Sequence, residues 1–347
     1  MSNSKKLLLV ASGISIHTHN FIELIGGYFS DILLITDYDN KEFISINKYI
    51  VDYSFHNPLK ILLAIIKIKK VLREFKPDFI IHYQIDTGSF LCSLLQKRNI
   101  PTLVVGIGSD VLVNPQKGLF YKLMVKLVLK QGDYFNAGSQ ELANEMKKLA
   151  NRPIEVVIAN LGINGIEPRK KQNIVFSNRL HSPLYRIDKI IEAFARFVSK
   201  KEYADWQLII AASGNEDALQ QQVEVLGLSE KVKFTGWLSM EKNAYYYSIS
   251  RLWVSIPESD SISISLLEAM SAECIPIVSD LPSMKNFIVN EINGIVVKNI
   301  ESNFMEKALQ LDYEKLKVQN RTLALNFGSK EVNRQKFYAI FEKAFNL

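Results

Sequence analysis

The sequence predicts an α/β protein made of two halves, each a parallel sheet with helices on both faces. Three observations predict it. Short apolar runs alternate with amphipathic stretches along most of the chain, the order expected of βαβ units. The alternation pauses at Gly162–Lys171, where Gly162, Gly165, Pro168 and Arg169-Lys170-Lys171 read as a linker, and then restarts. The length, 347 residues, suits two domains of ordinary size.

In the first half, Leu7–Val10 reads as a buried strand. Lys5-Lys6 ahead of it imitates a signal peptide. Ser12, Gly13 and His17-Thr18-His19-Asn20 soon interrupt the apolar run, and no small-x-small cleavage site follows. His19–Tyr28 reads as a helix, Ile32–Thr36 as a strand, Pro58–Phe75 as a helix and Phe79–His82 as a strand. Gly88–Gln96 is a helix, Thr102–Val105 a strand, Lys117–Lys130 contains a helix, Tyr134–Ala137 is a strand and Gln140–Ala150 a helix. In the second half, strands are expected at Ile174–Phe176, Gln207–Ala211, Val232–Phe234, Leu252–Ile256 and Ile275–Val278. Helices are expected at Arg186–Phe197, Asp217–Leu226 and Ile264–Ala272. The tail Ser329–Phe345 places Phe337, Ile340, Phe341 and Phe345 on one helical stripe. Two such halves form a cleft, and ligands of such sheets bind beyond the carboxyl ends of the strands.

Composition narrows the class. Apolar residues make up 48% and charged residues 22%, which excludes collagen-like and wholly disordered chains. Cys92 and Cys274 lie far apart with no CxxC pair, which argues against a cysteine metal site or a disulfide scaffold and for a reducing, cytoplasmic setting. The excess of 42 Lys+Arg over 36 Asp+Glu is mild but uneven. Lys60, Lys67, Lys69, Lys70, Arg73 and Lys76 face only Glu74. No stretch approaches the ~18–20 apolar residues that span a bilayer. Pro58–Lys76 and Gly118–Lys130 both mix Leu, Ile and Val with repeated Lys. Two readings stand: helices lying on anionic lipid through Lys67, Lys69, Lys70, Lys122 and Lys126, at the inner face of the plasma membrane, or core-facing stripes with solvated lysines. The chain has no nucleic-acid reader motif, so nucleic acid is not an expected partner.

The segment richest in chemistry runs from Ile256 to Met270. Asp260 would lie in the loop after a strand, and Glu268 about one turn inside the next helix. Both can face one ligand, with the amides of Ser261, Ile262, Ser263 and Ile264 between them. Amides at a helix N-terminus suit a diphosphate. Ionised carboxylates suit sugar and ribose hydroxyls. The plain alternative is a solvated loop acid and an acid that helps a helix start.

Pro257 through Val297 resembles the donor-binding block of family 4 glycosyltransferases. The resemblance rests on Leu267-Glu268-Ala269-Met270, Ile275-Pro276-Ile277-Val278-Ser279-Asp280 and Asn293-Gly294-Ile295-Val296-Val297. Ile174-Val175-Phe176-Ser177-Asn178-Arg179-Leu180 is similar to the family's strand ending in Gly-Arg-Leu. The resemblance implies the GT-B fold: two Rossmann-like domains facing across a cleft, with the C-terminal helix returning to the N-terminal domain. It implies a retaining transferase that uses a nucleotide-diphosphate sugar, with no metal. Glu268 would hold the ribose hydroxyls and Asp260 would touch the donor sugar. Arg179 would neutralise the diphosphate, with Arg186 as second cation and Lys189 as the reserve. The chain departs from the family where Asp260 replaces a glutamate and where Ser261 and Ser263 replace glycines.

The first half carries weaker signals. Gly13, after the first strand, could let backbone approach a phosphate, or could be an ordinary turn. His17 and His19 are two apart and do not share a helical face. Gly106-Ile107-Gly108-Ser109-Asp110 resembles a Gly-Ser-Asp loop of bacterial members, with Ile107 where others carry a histidine. Asp110 is a candidate for acceptor binding or for taking the acceptor's proton, or else a turn aspartate. His82 either lines the acceptor side or sits in the core.

The expected organisation is an acceptor-binding domain over residues 1–165, a donor-binding domain over 166–328 and a returning helix over 329–347. The expected reaction moves a sugar, with a UDP-sugar first among donors, to a lipid-linked or polysaccharide acceptor in surface-glycan synthesis. One rival is a catalytically weak subunit that keeps the fold and binds glycan or another transferase. A nicotinamide dehydrogenase is a poor rival, because no GxGxxG with a following acid is present.

Overall fold

The computed structural model describes residues 5–13, 15–39, 46–53, 57–260 and 263–346. The chain divides into two compact units, Met1–Gly162 with Lys330–Leu347, and Ile163–Ser329.

The sheet of the first unit has, among the described residues, the strands β1 (Lys6–Val10), β2 (Asp31–Thr36), β3 (Asn47–Ile50), β4 (Phe79–Tyr83), β5 (Thr102–Gly106), β6 (Tyr134–Ala137) and β7 (Val156–Ile158). All pair in parallel, in the order β3-β2-β1-β4-β5-β6-β7. Its helices include α1 (Ile16–Ile25), α2 (Pro58–Phe75), α3 (Thr87–Leu95), α4 (Ser109–Leu112), α5 (Leu119–Gln131) and α6 (Gln140–Ala150). The second unit carries β8 (Gln172–Ser177), β9 (Gln207–Ile210), β10 (Val232–Phe234), β11 (Ser250–Ser255), β12 (Ile275–Ser279) and β13 (Ile295–Val297), parallel throughout, in the order β10-β9-β8-β11-β12-β13. Its helices are α7 (Ile187–Val198), α8 (Glu216–Val225), α9 (Met240–Ile249), α10 (Ile264–Ser271), α11 (Pro282–Lys285), α12 (Phe304–Leu309) and α13 (Tyr313–Gly328). The last helix, α14 (Lys330–Phe345), belongs to the first unit.

The continuous apolar runs follow from burial on both sheet faces. In the first unit Leu7, Leu9, Phe79, Ile81 and Leu103 pack with Phe21 of α1 and with Phe337 and Phe341 of α14. Leu8, Val10, Ile35 and Ile80 face the other way, onto Ala64 and Ile68 of α2 and Leu91 of α3. Val104 on that same face meets Val125 and Val128 of α5. In the second unit Val175, Leu208, Leu252 and Ile275 pack on Ile190, Ile191 and Phe194 of α7. Phe176, Ile209, Trp253 and Val278 pack on Leu266, Leu267 and Met270 of α10. Both cysteines are buried, and burial pushes the Cys92 thiol up to about 12.

Several boundaries and elements differ from the sequence expectation. The first helix starts at Ile16 rather than His19, because Ser15 caps it by accepting from the His17 amide. β3 carries no apolar run; it is an edge strand with both ends exposed. α13 has a buried stripe of Leu316, Asn320, Ala324 and Gly328, which is helical in period but not apolar in composition. Gly328 lets α13 pack closely there: a Cβ would lie 2.7 Å from Leu267 Cδ1 of α10.

The stretch expected as a basic linker is fastened to the second unit. The Ile163 amide donates to Gly328 O at 2.6 Å and Arg169 N to Ser248 O at 3.0 Å. Lys171 Nζ donates to Tyr247 O at 3.1 Å and Ser248 O at 3.0 Å, at the C-terminal end of α9. A cation there satisfies carbonyls the helix leaves open. Among the described residues, no helix is long and apolar enough to cross a membrane.

Candidate functional site

In the second sheet the strand order reverses between β8 and β11, so the loops after these two strands open from one point. Arg179 follows β8, and Asp260 and Ser263 follow β11. Arg179 Nη2 lies 2.6 Å from Asp260 Oδ2, and Arg179 Nη1 donates to Ser263 Oγ at 3.0 Å. Ser263 is the N-cap of α10 and accepts from the Leu266 amide. The guanidinium therefore sits at the N-terminus of α10, stacked 4.4 Å over the Tyr185 ring. Both partners of the ion pair are mostly buried, with side chains 12% and 15% exposed. The sequence reading gave Arg179 the diphosphate and Asp260 the sugar of one donor; the structure bonds them to each other.

The two loops are also tied by backbone. Glu258 N donates to Leu184 O at 2.9 Å. Arg186 pairs with Glu258 at 3.0 Å and holds a left-handed backbone at φ 52. Ser279 Oγ donates to Pro257 O at 2.6 Å, and Ser283 Oγ to Asp260 O at 2.8 Å. The Ser-Asp after β12 thus starts a turn that holds the loop after β11. Lys189 is drawn away to Glu192 at 2.9 Å on its own helix. Ile264 begins α10. Ser261 and Ile262 lie outside the described residues.

Glu268 stands on α10 one turn after Ile264, with the Tyr247 phenol beside its carboxyl. Tyr247 Oη accepts from Asn178 Nδ2 at 2.8 Å. Asn178 Oδ1 in turn accepts from Trp253 Nε1 at 3.1 Å. Burial pushes the Glu268 carboxyl up to about 7, opposed by the Tyr247 hydrogen bond. Sequence reasoning missed Asn178, Tyr247 and Trp253 as its support, because no spacing rule links three separate elements. It also missed His181, two residues past Arg179. Its buried ring meets Phe234 edge-on at 5.9 Å, and its nitrogens have no hydrogen-bond partner among the described residues.

The first unit decides between the alternatives left open for three residues. Gly13 is buried and its amide already donates to Thr36 Oγ1 at 2.6 Å, so it does not offer that N–H to a phosphate. A Cβ there would lie 2.3 Å from Tyr38 O and 2.8 Å from Thr36 Oγ1, which is why glycine is needed. Gly13→Ala is expected to cost about 1–3 kcal/mol of stability through overpacking, measured by urea unfolding. Asp110 is fully buried, and its carboxylate accepts from the amides of Ile85 at 3.0 Å, Ile107 at 3.1 Å and Gly108 at 2.8 Å. Its oxygens build the loop after β5, which is the turn role rather than the acceptor role. His82 is fully buried with Nε2 3.0 Å from Gln96 Oε1, and burial lowers it to about 4; it is a core histidine. His17 is exposed, and His19 pairs with Glu23 at 3.3 Å. Asp86, which sequence reading passed over, caps α3 at the first sheet's own reversal point beside β4, and burial raises its carboxyl to about 6. Among the described residues, no three His, Cys, Asp or Glu side chains come together to hold a metal ion.

With this geometry established, comparison places the chain. The family described as glycosyl transferases group 1 matches residues 163–321, and the family described as glycosyl transferase 4-like matches residues 6–139. An uncharacterized glycosyltransferase of Methanocaldococcus jannaschii is 26% identical over 251 residues, covering 62% of this chain and 61% of that protein. A GDP-mannose:cellobiosyl-diphosphopolyprenol alpha-mannosyltransferase of Xanthomonas oryzae is 30% identical over 100 residues, 28% of this chain and 26% of that protein. The chain thus spans less than two thirds of these relatives' lengths. A glycosyltransferase from Rickettsia africae has the same fold, with a TM-score of 0.79 at 15% identity over 99% of both chains. Anabaena HepE in complex with UDP matches with a TM-score of 0.76 at 14% identity, over 98% of this chain and 100% of that one. The two parallel sheets and the last helix, which belongs to the first unit, have the GT-B fold. Two glycosyl transferase families thus match most of the chain between them, the group 1 family in the second unit and the 4-like family in the first.

Proposed function

We propose that the second unit binds a nucleotide-diphosphate sugar and that the chain transfers the sugar with retention at the anomeric carbon. The observation that carries this is Arg179, held by Ser263 at the N-terminus of α10 with Glu268 one turn further on. A cation and a helix N-terminus suit a diphosphate, and a carboxylate one turn away suits a ribose diol. In the reaction the bond from C1 to the diphosphate oxygen breaks and the acceptor oxygen bonds C1. The acceptor's proton passes to the leaving diphosphate. Arg179, Arg186 and the first amides of α10 offset the charge that develops there, so the reading needs no metal. Asp260 orients Arg179 beside the donor sugar.

UDP-sugars are the first donors of this reading, supported by the UDP held in the Anabaena neighbour. The acceptor is a lipid-linked or polysaccharide hydroxyl bound by the first unit, in surface-glycan synthesis such as capsule, O-antigen or lipopolysaccharide. The diphosphopolyprenol named for the Xanthomonas relative supports a lipid-linked acceptor. Such an acceptor places the chain in the cytoplasm, peripheral to the inner face of the plasma membrane, with Lys67, Lys69, Lys70, Lys122 and Lys126 toward anionic lipid. A second reading, a catalytically weak partner subunit, is favoured by the direct neutralisation of Arg179 by Asp260.

A thermal-shift screen with UDP-, GDP-, ADP- and CMP-sugars, followed by assay of sugar release, tests both readings. The expected result is a raised melting temperature and slow hydrolysis with one nucleotide class, since a ligand that binds only the native state stabilises it. A shift without turnover favours the partner subunit. No shift with any donor overturns the nucleotide-sugar reading.

A further inference from the structure

The exposed surface of the first unit bears on how the chain meets lipid. α2, α3 and α5 lie side by side on one face of the sheet, packed through Ala64, Ile68, Leu91, Val125 and Val128. α2 then carries a second apolar stripe on its opposite side: Leu59, Leu62, Leu63 and Ile66, at the i, i+3, i+4, i+7 spacing of one helical face. α5 does the same with Leu119, Phe120 and Leu123. These seven side chains are between 49% and 72% exposed. Leu94 of α3, between the two helices, is 50% exposed. The core-facing reading of the sequence accounts for the buried stripes and leaves these unexplained. An apolar band that extends over adjacent helices marks a contact surface rather than scattered surface leucines.

The charge around the band says what covers it. Lys67, Lys69 and Lys70 of α2 and Lys122, Lys126 and Lys130 of α5 have no ion-pair partner among the described residues. Leu119–Gln131 contains no acid at all. A protein partner fitting this face would have to carry matching acids around an apolar centre. An anionic bilayer supplies both features over any area, with headgroups for the lysines and acyl chains for the leucines.

We propose that the chain docks on anionic membrane by inserting the outer faces of α2 and α5 into the headgroup–acyl boundary, with the lysines at the phosphate level. This rests on the peripheral-membrane part of the proposed function and specifies its mode: insertion of leucines rather than attraction of lysines alone. Electrostatic attachment is lost in salt within a Debye length. Insertion of apolar side chains is not.

The full chain is tested by co-sedimentation with phosphatidylglycerol/phosphatidylethanolamine vesicles at low and at 0.5 M salt (roughly five times the ionic strength that gives a 10 Å screening length). The proposal expects binding that persists at high salt. It expects the exposed double substitution Leu63→Gln, Leu123→Gln to weaken binding by about tenfold or more, with an unchanged melting curve. A Phe120→Trp variant is expected to be quenched by brominated lipid. Complete release of the wild type by salt, with the leucine variant binding like wild type, overturns insertion and leaves electrostatic attachment standing. No vesicle binding by the wild type overturns the proposal outright, as does a dimer in sedimentation that the leucine variant abolishes. The donor thermal shift, read on the same preparations, separates either failure from failure of the nucleotide-sugar reading.

Discussion

Arg179→Ala is expected to lower glycosyl transfer by about 10²–10³-fold, because it removes a cation held directly at the N-terminus of α10. It is also expected to destabilise the second unit by about 1–3 kcal/mol, because Asp260 loses the guanidinium paired with it in a mostly buried place. The two effects come apart in a double variant. Adding Asp260→Ala removes the carboxylate that the guanidinium balanced, so stability should return toward wild type while transfer stays low. Arg179→Lys is not conservative here. The guanidinium reaches Asp260 and Ser263 at once from Nη2 and Nη1 and stacks on Tyr185, and an ammonium has no such fork. Asp260→Asn should tighten binding of a free nucleoside diphosphate, because the diphosphate no longer competes with a carboxylate for Arg179. Turnover and chemical unfolding of the four variants check the set. If Arg179→Ala transfers sugar within twofold of wild type, Arg179 is not the diphosphate cation.

Donor affinity is expected to fall about tenfold per pH unit as pH drops below about 7, and to level off above it. The sign follows from the raised pKa. Ribose hydroxyls donate to an ionised carboxylate, so the ligand binds the deprotonated form and lowers the pKa of Glu268. Below about 7 the free protein must first lose a proton; above it the carboxylate is ready. At pH 7 binding should release about half a proton per ligand, read as a dependence of calorimetric enthalpy on buffer ionisation enthalpy. An intact nucleotide sugar is the right ligand, because its diphosphate is esterified at both ends and does not titrate near neutrality. Glu268→Gln should abolish the pH slope and weaken binding by about 1–3 kcal/mol. Tyr247→Phe removes the hydrogen bond that holds the carboxyl down, so the slope should persist with its midpoint moved higher. A flat pH profile in the wild type would remove Glu268 from the ribose.

The class of fold was legible because strands buried on both faces must be apolar throughout, as Leu7–Val10 and Ile275–Val278 are. Elements that do not bury a full apolar face were not. β3 escaped because it is an edge strand, and α13 because Asn320 and Gly328 interrupt its stripe. In the site, Arg179, Asp260, Ser263 and Glu268 could be singled out one by one from residue type and position relative to strand ends. That Arg179 and Asp260 bond to each other could not, since eighty-one positions separate them and the reversal between β8 and β11 brings their loops together. Asp110 and Gly13 show the converse. Their residue types suit ligand chemistry, but each was already used by the fold, one as acceptor for three backbone amides and one as a close approach to Thr36.

Period and composition by themselves determined two α/β halves, the strands at their centres and the segments that bear chemistry, because these follow from local spacing and from what a buried face must be made of. Tertiary structure alone decided which of those groups are spent and which remain. It holds Glu268 through Trp253, Asn178 and Tyr247, from three elements distant in sequence. It buries one stripe of α2 and leaves Leu59, Leu62, Leu63 and Ile66 outside. The physical reason is the same in each case. A hydrogen bond or an exposed face is a property of what stands opposite a side chain, and what stands opposite is set by the packing of the whole unit.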